Sequence, residues 1–77
     1  MNLKLKLMNH VKCIEEHHLL LKELCKLSAV IIEQMCAPEK KMEEEITNKL
    51  GDVYFRLNAI MKYYSKEKVM TRCFSNT

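Results

Sequence analysis

One glycine and one proline among 77 residues constrain this chain more than any other feature. A backbone this poor in turn formers cannot reverse direction often, and a sheet of several strands needs many reversals. With 48% of its residues hydrophobic, the chain is also too apolar for a disordered tail. Helices packed on helices remain. The expected fold class is all-α: a hairpin or bundle of two long antiparallel helices with short flanking helices, in one domain over residues 1–77.

Pro38 sets the break between the long helices, because proline lacks the N–H donor and disfavours helix at the residue before it; it can also serve as the first residue of the next helix. Upstream, Val11, Ile14, His18, Leu21, Cys25, Ser28, Ile32 and Met35 recur in alternating steps of three and four, which predicts an amphipathic helix over 10–36 with Asn9 as its N-cap. A second stripe, Leu20, Leu24, Leu27 and Ile31, widens the apolar arc, so this helix is expected to be contacted from two sides. Residues 3–7 alternate leucine and lysine and read as part of a lead-in over 1–9.

Downstream, Met42, Ile46, Leu50, Val53, Leu57, Ile60 and Tyr64 share one face of a second helix over 39–64. Glu39, Glu43, Glu44 and Glu45 lie near its positive end. Gly51 inside it costs about 1 kcal/mol relative to alanine, and its small size would permit close approach of another helix. Ser65 is placed to cap a short helix over 66–73, with 74–77 frayed.

A domain of this length buries only about 60% of the surface its unfolded chain exposes. The apolar arcs therefore predict a homo-oligomer, dimer or tetramer, with Leu20, Leu21, Leu24, Leu27, Ile31, Ile32, Met35, Ile46, Leu50, Val53, Leu57 and Ile60 forming core and interface.

No run approaches the roughly 18–20 apolar residues that span a bilayer, so no membrane partner is expected. Cys13, Cys25, Cys36 and Cys73 form no C-x-x-C pair and follow no secretory segment, which reads as reduced thiols in a cytoplasm. Net charge is +3 but unevenly spread. The first 13 residues carry Lys4, Lys6 and Lys12 without an acid; residues 53–77 carry Arg56, Lys62, Lys66, Lys68 and Arg72 against Glu67. That basic end lacks a nucleic-acid reading motif and spaced aromatics, which argues against a nucleic-acid partner.

His10, Cys13 and His17, with His18 beside them, have zinc-ligand chemistry. Three ligands on one helix rarely converge on a tetrahedral ion, and the expectation is a polar strip, exposed or facing a dimer partner, with no metal. Met61, Tyr63 and Tyr64 read as core.

Lys22-Glu23-Leu24-Cys25-Lys26-Leu27 on the first helix and Lys49-Leu50-Gly51-Asp52-Val53 on the second carry a resemblance. With 22 residues between Lys26 and Lys49 and Leu57-x-x-Ile60 downstream, they resemble the MazG-like all-α nucleoside triphosphate pyrophosphohydrolases over residues 15–72. That family's first helix carries Glu-Glu-x-x-Glu and its second Glu-x-x-Asp, and the carboxylates hold Mg²⁺ on the triphosphate. The resemblance implies a helical bundle that dimerises or forms tetramers.

Here the motifs read Lys-Glu-x-x-Lys and Lys-x-x-Asp, so Glu23 and Asp52 are the surviving carboxylates and Lys22, Lys26 and Lys49 replace the other three. A register one residue later would align Glu23 with the first glutamate and put Leu24 and Leu27 in the other places; it too loses the cluster. Each lysine removes a ligand and adds like-charge repulsion of about 4 kcal/mol per pair at 4 Å and an effective dielectric near 20.

These residues are therefore expected to be remnants of a degenerate site, with no catalytic residues and no cofactor. The expected function is a non-catalytic interaction protein, and the lysine- and methionine-rich compact chain suits a phage or mobile-element product that modulates or inhibits a host protein or defence complex in the host cytoplasm. The alternative is a Mg²⁺-dependent pyrophosphohydrolase, or a nucleotide-binding protein, with a reduced site completed by Glu43 to Glu45 or by a second subunit.

Overall fold

A computed structural model describes residues 3–76. It is all-helical: α1 spans Leu3–Cys36, α2 spans Glu43–Ile60 and runs into a single 3₁₀ turn at Met61–Tyr63, and α3 spans Lys66–Ser75. No strand occurs among the described residues. The long helices pack against one another as an antiparallel hairpin, and α3 makes almost no contact with it.

Both halves of the seam repeat in steps of three and four. From α1 the residues turned inward are Cys13, Glu16, Leu20, Glu23, Leu27, Val30 and Gln34; opposite them are Met42 at the end of the loop and, from α2 and its 3₁₀ extension, Ile46, Lys49, Val53, Arg56, Ile60 and Tyr63. Such spacing keeps a stripe facing its neighbour where helices cross at a shallow angle. Among the described residues only Val30, Met42 and Ile60 are buried hydrophobics, and each keeps 6–8% of its surface exposed. The core is a thin zipper.

Pro38 ends α1 as expected, but it does not begin α2. Residues 37–42 form a loop instead, held by one side chain. The Gln34 amide donates to the carbonyls of Lys40 (2.9 Å), Ala37 (3.4 Å) and Pro38 (3.4 Å), and its oxygen accepts from the Met42 N–H at 3.3 Å. Met42, the residue before α2, contributes no side-chain cap. Glu43, Glu44 and Glu45 occupy the first turn, where carboxylates oppose the positive end of the helix dipole.

The other boundaries shift for physical reasons. Helix α1 begins at Leu3, not at 10, and Asn9 lies inside it rather than capping it. Leucine, lysine and methionine are strong helix formers, and nothing between residues 3 and 10 interrupts propagation from the helix downstream. Of the lead-in over 1–9, residues 1 and 2 lie outside the described residues, as does residue 77 of the frayed end; Phe74 and Ser75 are helical. The second helix ends at Ile60 rather than 64, tightening into the 3₁₀ turn before Tyr64 turns extended. Ser65 does cap α3, its hydroxyl accepting from the Lys68 N–H at 3.3 Å. Gly51 admits no close neighbour within the chain, since an added Cβ there would meet nothing within 4 Å.

Candidate functional site

Two adjacent rows of cross-helix neighbours run along the hairpin, the first within the seam and the second at its edge. On the first, Lys62 donates to the Glu16 carboxylate at 3.1 Å, and Tyr63 packs beside them. Residues seven apart share a helix row. Stepping up α1 and back along α2 therefore brings Glu23 opposite Arg56 and Val30 opposite Lys49, with Glu23, Arg56 and Lys49 half-buried. Charged side chains recur along this row, at Glu16, Glu23, Arg56 and Lys49.

The hydrogen bond from Lys62 holds the Glu16 carboxyl below the usual carboxylate range, against the opposing effect of partial desolvation. The same bond raises Lys62. Desolvation, with the Glu16 charge next, raises the Tyr63 phenol. One oxygen of Glu16 and one of Glu23 are buried without a hydrogen-bond partner. Arg56, one heptad from Tyr63, instead lies over the Phe55 ring at 5.3 Å.

On the second row His17 is the tie. Its Nδ1 lies 2.7 Å from the Cys13 carbonyl, which can only accept, so Nδ1 donates there, and its Nε2 shares a hydrogen bond with the Tyr64 hydroxyl 2.6 Å away. From this pair the same seven-residue steps bring Leu24 opposite Leu57 and Ile31 opposite Leu50. All four leucine and isoleucine side chains are exposed, at 39–51%.

The degenerate-site residues are only partly gathered. Lys26 lies 3.5 Å from Glu23 in an i, i+3 pair. Lys22 and Asp52 are exposed and Lys49 is half-buried; among the described residues no ion pair joins any of the three to Glu23. The expected core divides as well. Leu20, Leu27, Ile46, Val53 and Ile60 turn into the seam, while Leu21, Leu24, Ile31, Ile32, Met35, Leu50 and Leu57 remain exposed. The stripe from Val11 to Met35 is thus the open one, and the stripe that meets α2 contains Glu16, Glu23 and Gln34.

The expected polar strip splits in the same way. Cys13 and His17 turn half-buried toward α2, while His10 and His18 are exposed. Among the described residues no group of three His, Cys, Asp or Glu side chains is placed to hold a metal. All four cysteines are free. No helix there is long and apolar enough to cross a membrane.

Sequence reasoning missed Val30, the Gln34 clamp, the Glu16–Lys62 pair and the His17–Tyr64 bond. Alternating steps of three and four from Cys13 reach Glu16, Val30 and Gln34 on α1, and His17 lies one residue beyond Glu16. No family model, curated protein or solved structure matches the chain.

Proposed function

We propose that this chain is a non-catalytic helical interaction protein, built on a degenerate pyrophosphohydrolase-like scaffold and encoded by a phage or mobile element, that assembles with itself and modulates a host protein or defence complex. The observation that carries this reading is the makeup of the row where the family would gather its acids. Glu23 there stands with Lys26 at 3.5 Å and, by register, with Arg56, and Lys49 lies one heptad further along. Hard divalent cations need several anionic oxygens converging at about 2.0–2.1 Å, and ammonium and guanidinium groups in their place repel the ion.

Glu43 to Glu45 do not remedy this within one chain. They sit at the loop end of α2, roughly three turns from the stretch that faces Glu23. A row of mixed charge beside extensive apolar surface suits macromolecular contact better than phosphate chemistry.

The test is an assay of pyrophosphate release from the common nucleoside triphosphates with Mg²⁺ and with Mn²⁺. No release above the metal-only blank is expected. Metal-dependent release that vanishes in Glu23→Gln or Asp52→Asn would overturn the reading.

A further inference from the structure

Two helical stretches leave the end of the hairpin opposite the Gln34 loop. Helix α1 runs on past α2 from Leu3 to about Lys12, and α3 departs just after Tyr64, whose hydroxyl lies 2.6 Å from His17. Every residue of 3–12 and of 66–75 is exposed. We infer that this end of the molecule docks on an anionic lipid surface, with the start of α1 and the apolar face of α3 lying in the plane of the headgroups.

The first argument is the union of apolar faces with flanking cations. At the start of α1, Leu3, Leu7, Val11 and Ile14 share one face and are 46–81% exposed. At about 100° per residue, Lys4 and Lys12 fall to one side of that face and Lys6 to the other. In α3, Val69, Met70 and Phe74 are 40–67% exposed and share a face with Cys73, while Lys68 and Arg72 stand opposite. Helices that lie in a membrane interface have this makeup, and lysine stems follow the apolar surface while their ammonium groups reach the headgroups.

Charge is the second argument. Through Ile14, α1 carries Lys4, Lys6 and Lys12 with no acid, and α3 carries Lys66, Lys68 and Arg72 against Glu67, whereas residues 15–65 hold nine acids against seven bases. The first turns of α2 and α3 contain glutamates and that of α1 contains no acid. The positive end of the α1 dipole therefore adds to the field of its lysines.

Shape is the third. Beyond the end of α2 the start of α1 is a single rod with no groove beside it to receive a peptide, and nucleic acid would leave its leucines in water. A lipid surface covers one face of each helix and needs no cleft. No described helix is long and apolar enough to cross a membrane, so the contact is interfacial, and the expectation of no membrane partner holds for crossing alone.

The inference does not rest on the non-catalytic reading: nucleotide hydrolysis would sink that reading and leave this one standing. The full chain is sedimented with vesicles of phosphatidylcholine alone and of phosphatidylcholine mixed with phosphatidylserine, at low and high salt, with helicity followed in parallel. Binding is expected to the anionic vesicles only, and to fall with salt. Leu7 is 64% exposed and lies beyond α2, so Leu7→Glu should weaken binding by at least about tenfold with helicity unchanged.

Lys6→Glu combined with Lys12→Glu should weaken it by at least as much. Lys40→Glu combined with Lys41→Glu makes the same change of charge at the loop end and should bind within about twofold of the wild type. Binding that survives Leu7→Glu, or that the loop-end pair loses equally, overturns the inference. A wild type that ignores anionic vesicles also overturns it and leaves the surface to an acidic protein segment; retention on double-stranded DNA in their place assigns it to nucleic acid.

Discussion

Along one row of the hairpin Lys62 bonds Glu16, and the register continues through Glu23, Arg56 and Lys49; along the other Tyr64 bonds His17, and the register continues through the uncharged Leu24, Leu57, Ile31 and Leu50. The two sets lie on adjacent seven-residue rows of the same two helices, one residue apart in each. The spacing decides which residues meet, and the side chains decide what the meeting is worth. The charged row gains specificity of register from the Glu16–Lys62 pair at some cost in desolvation, since an oxygen of Glu16 and one of Glu23 stay unpartnered. The uncharged row leaves apolar surface in water, which costs free energy until something covers it.

The strongest perturbation strikes the seam that both rows share. Ile60 is 8% exposed, and Ile60→Ala should destabilise the fold by about 3 kcal/mol in denaturant melts. A loss below about 1 kcal/mol would mean that the zipper is not what holds the hairpin.

A smaller change of opposite sign separates the rows. Glu23→Leu extends the row of Leu20 and Leu27 and removes a half-paired buried carboxylate, so it should stabilise by about 1 kcal/mol. Destabilisation instead would show that Arg56 leaves the Phe55 ring to pair with Glu23 in solution.

The smallest effect near neutrality belongs to Glu16→Gln, and it lies in the pH dependence. With its folded carboxyl lowered, Glu16 contributes fully above the ordinary value of 4.5 and loses its contribution as pH falls through the folded value. With Lys62 raised, its contribution is complete below 10.5 and is lost as pH climbs through the folded value. Glu16→Gln should therefore flatten both limbs of the unfolding midpoint against pH; unchanged limbs would show that the pair does not persist in solution.

Much of the fold was legible because strong local signals agree with it. Pro38 stops α1, Ser65 caps α3, and periodic apolar residues mark both long helices. What could not be read was which stripe turns inward. The open row from Val11 to Met35 looks more apolar than the seam row, so ranking by hydrophobicity places the wrong one inside. The start of α2 was hidden because Gln34, eight residues upstream of Met42, supplies the polar partners for the loop, and no local rule reports so distant a cap. Of the candidate site, the Glu23–Lys26 contact follows from i, i+3 spacing alone. The positions of Lys49 and Asp52 relative to it depend on the hairpin register, which Glu16–Lys62 and His17–Tyr64 fix.

The unequal lengths of the two helices carry a last consequence. At about 1.5 Å per residue, α1 runs for about 51 Å and α2 for about 27 Å, so the α1 residues ahead of Cys13 project past the end of their neighbour. Backbone amides along that projecting stretch can open by fraying, at a small fraction of the free energy needed to part the hairpin. The molecule is therefore graded in rigidity, from the end pinned by Gln34 to the stretch of α1 that runs beyond α2.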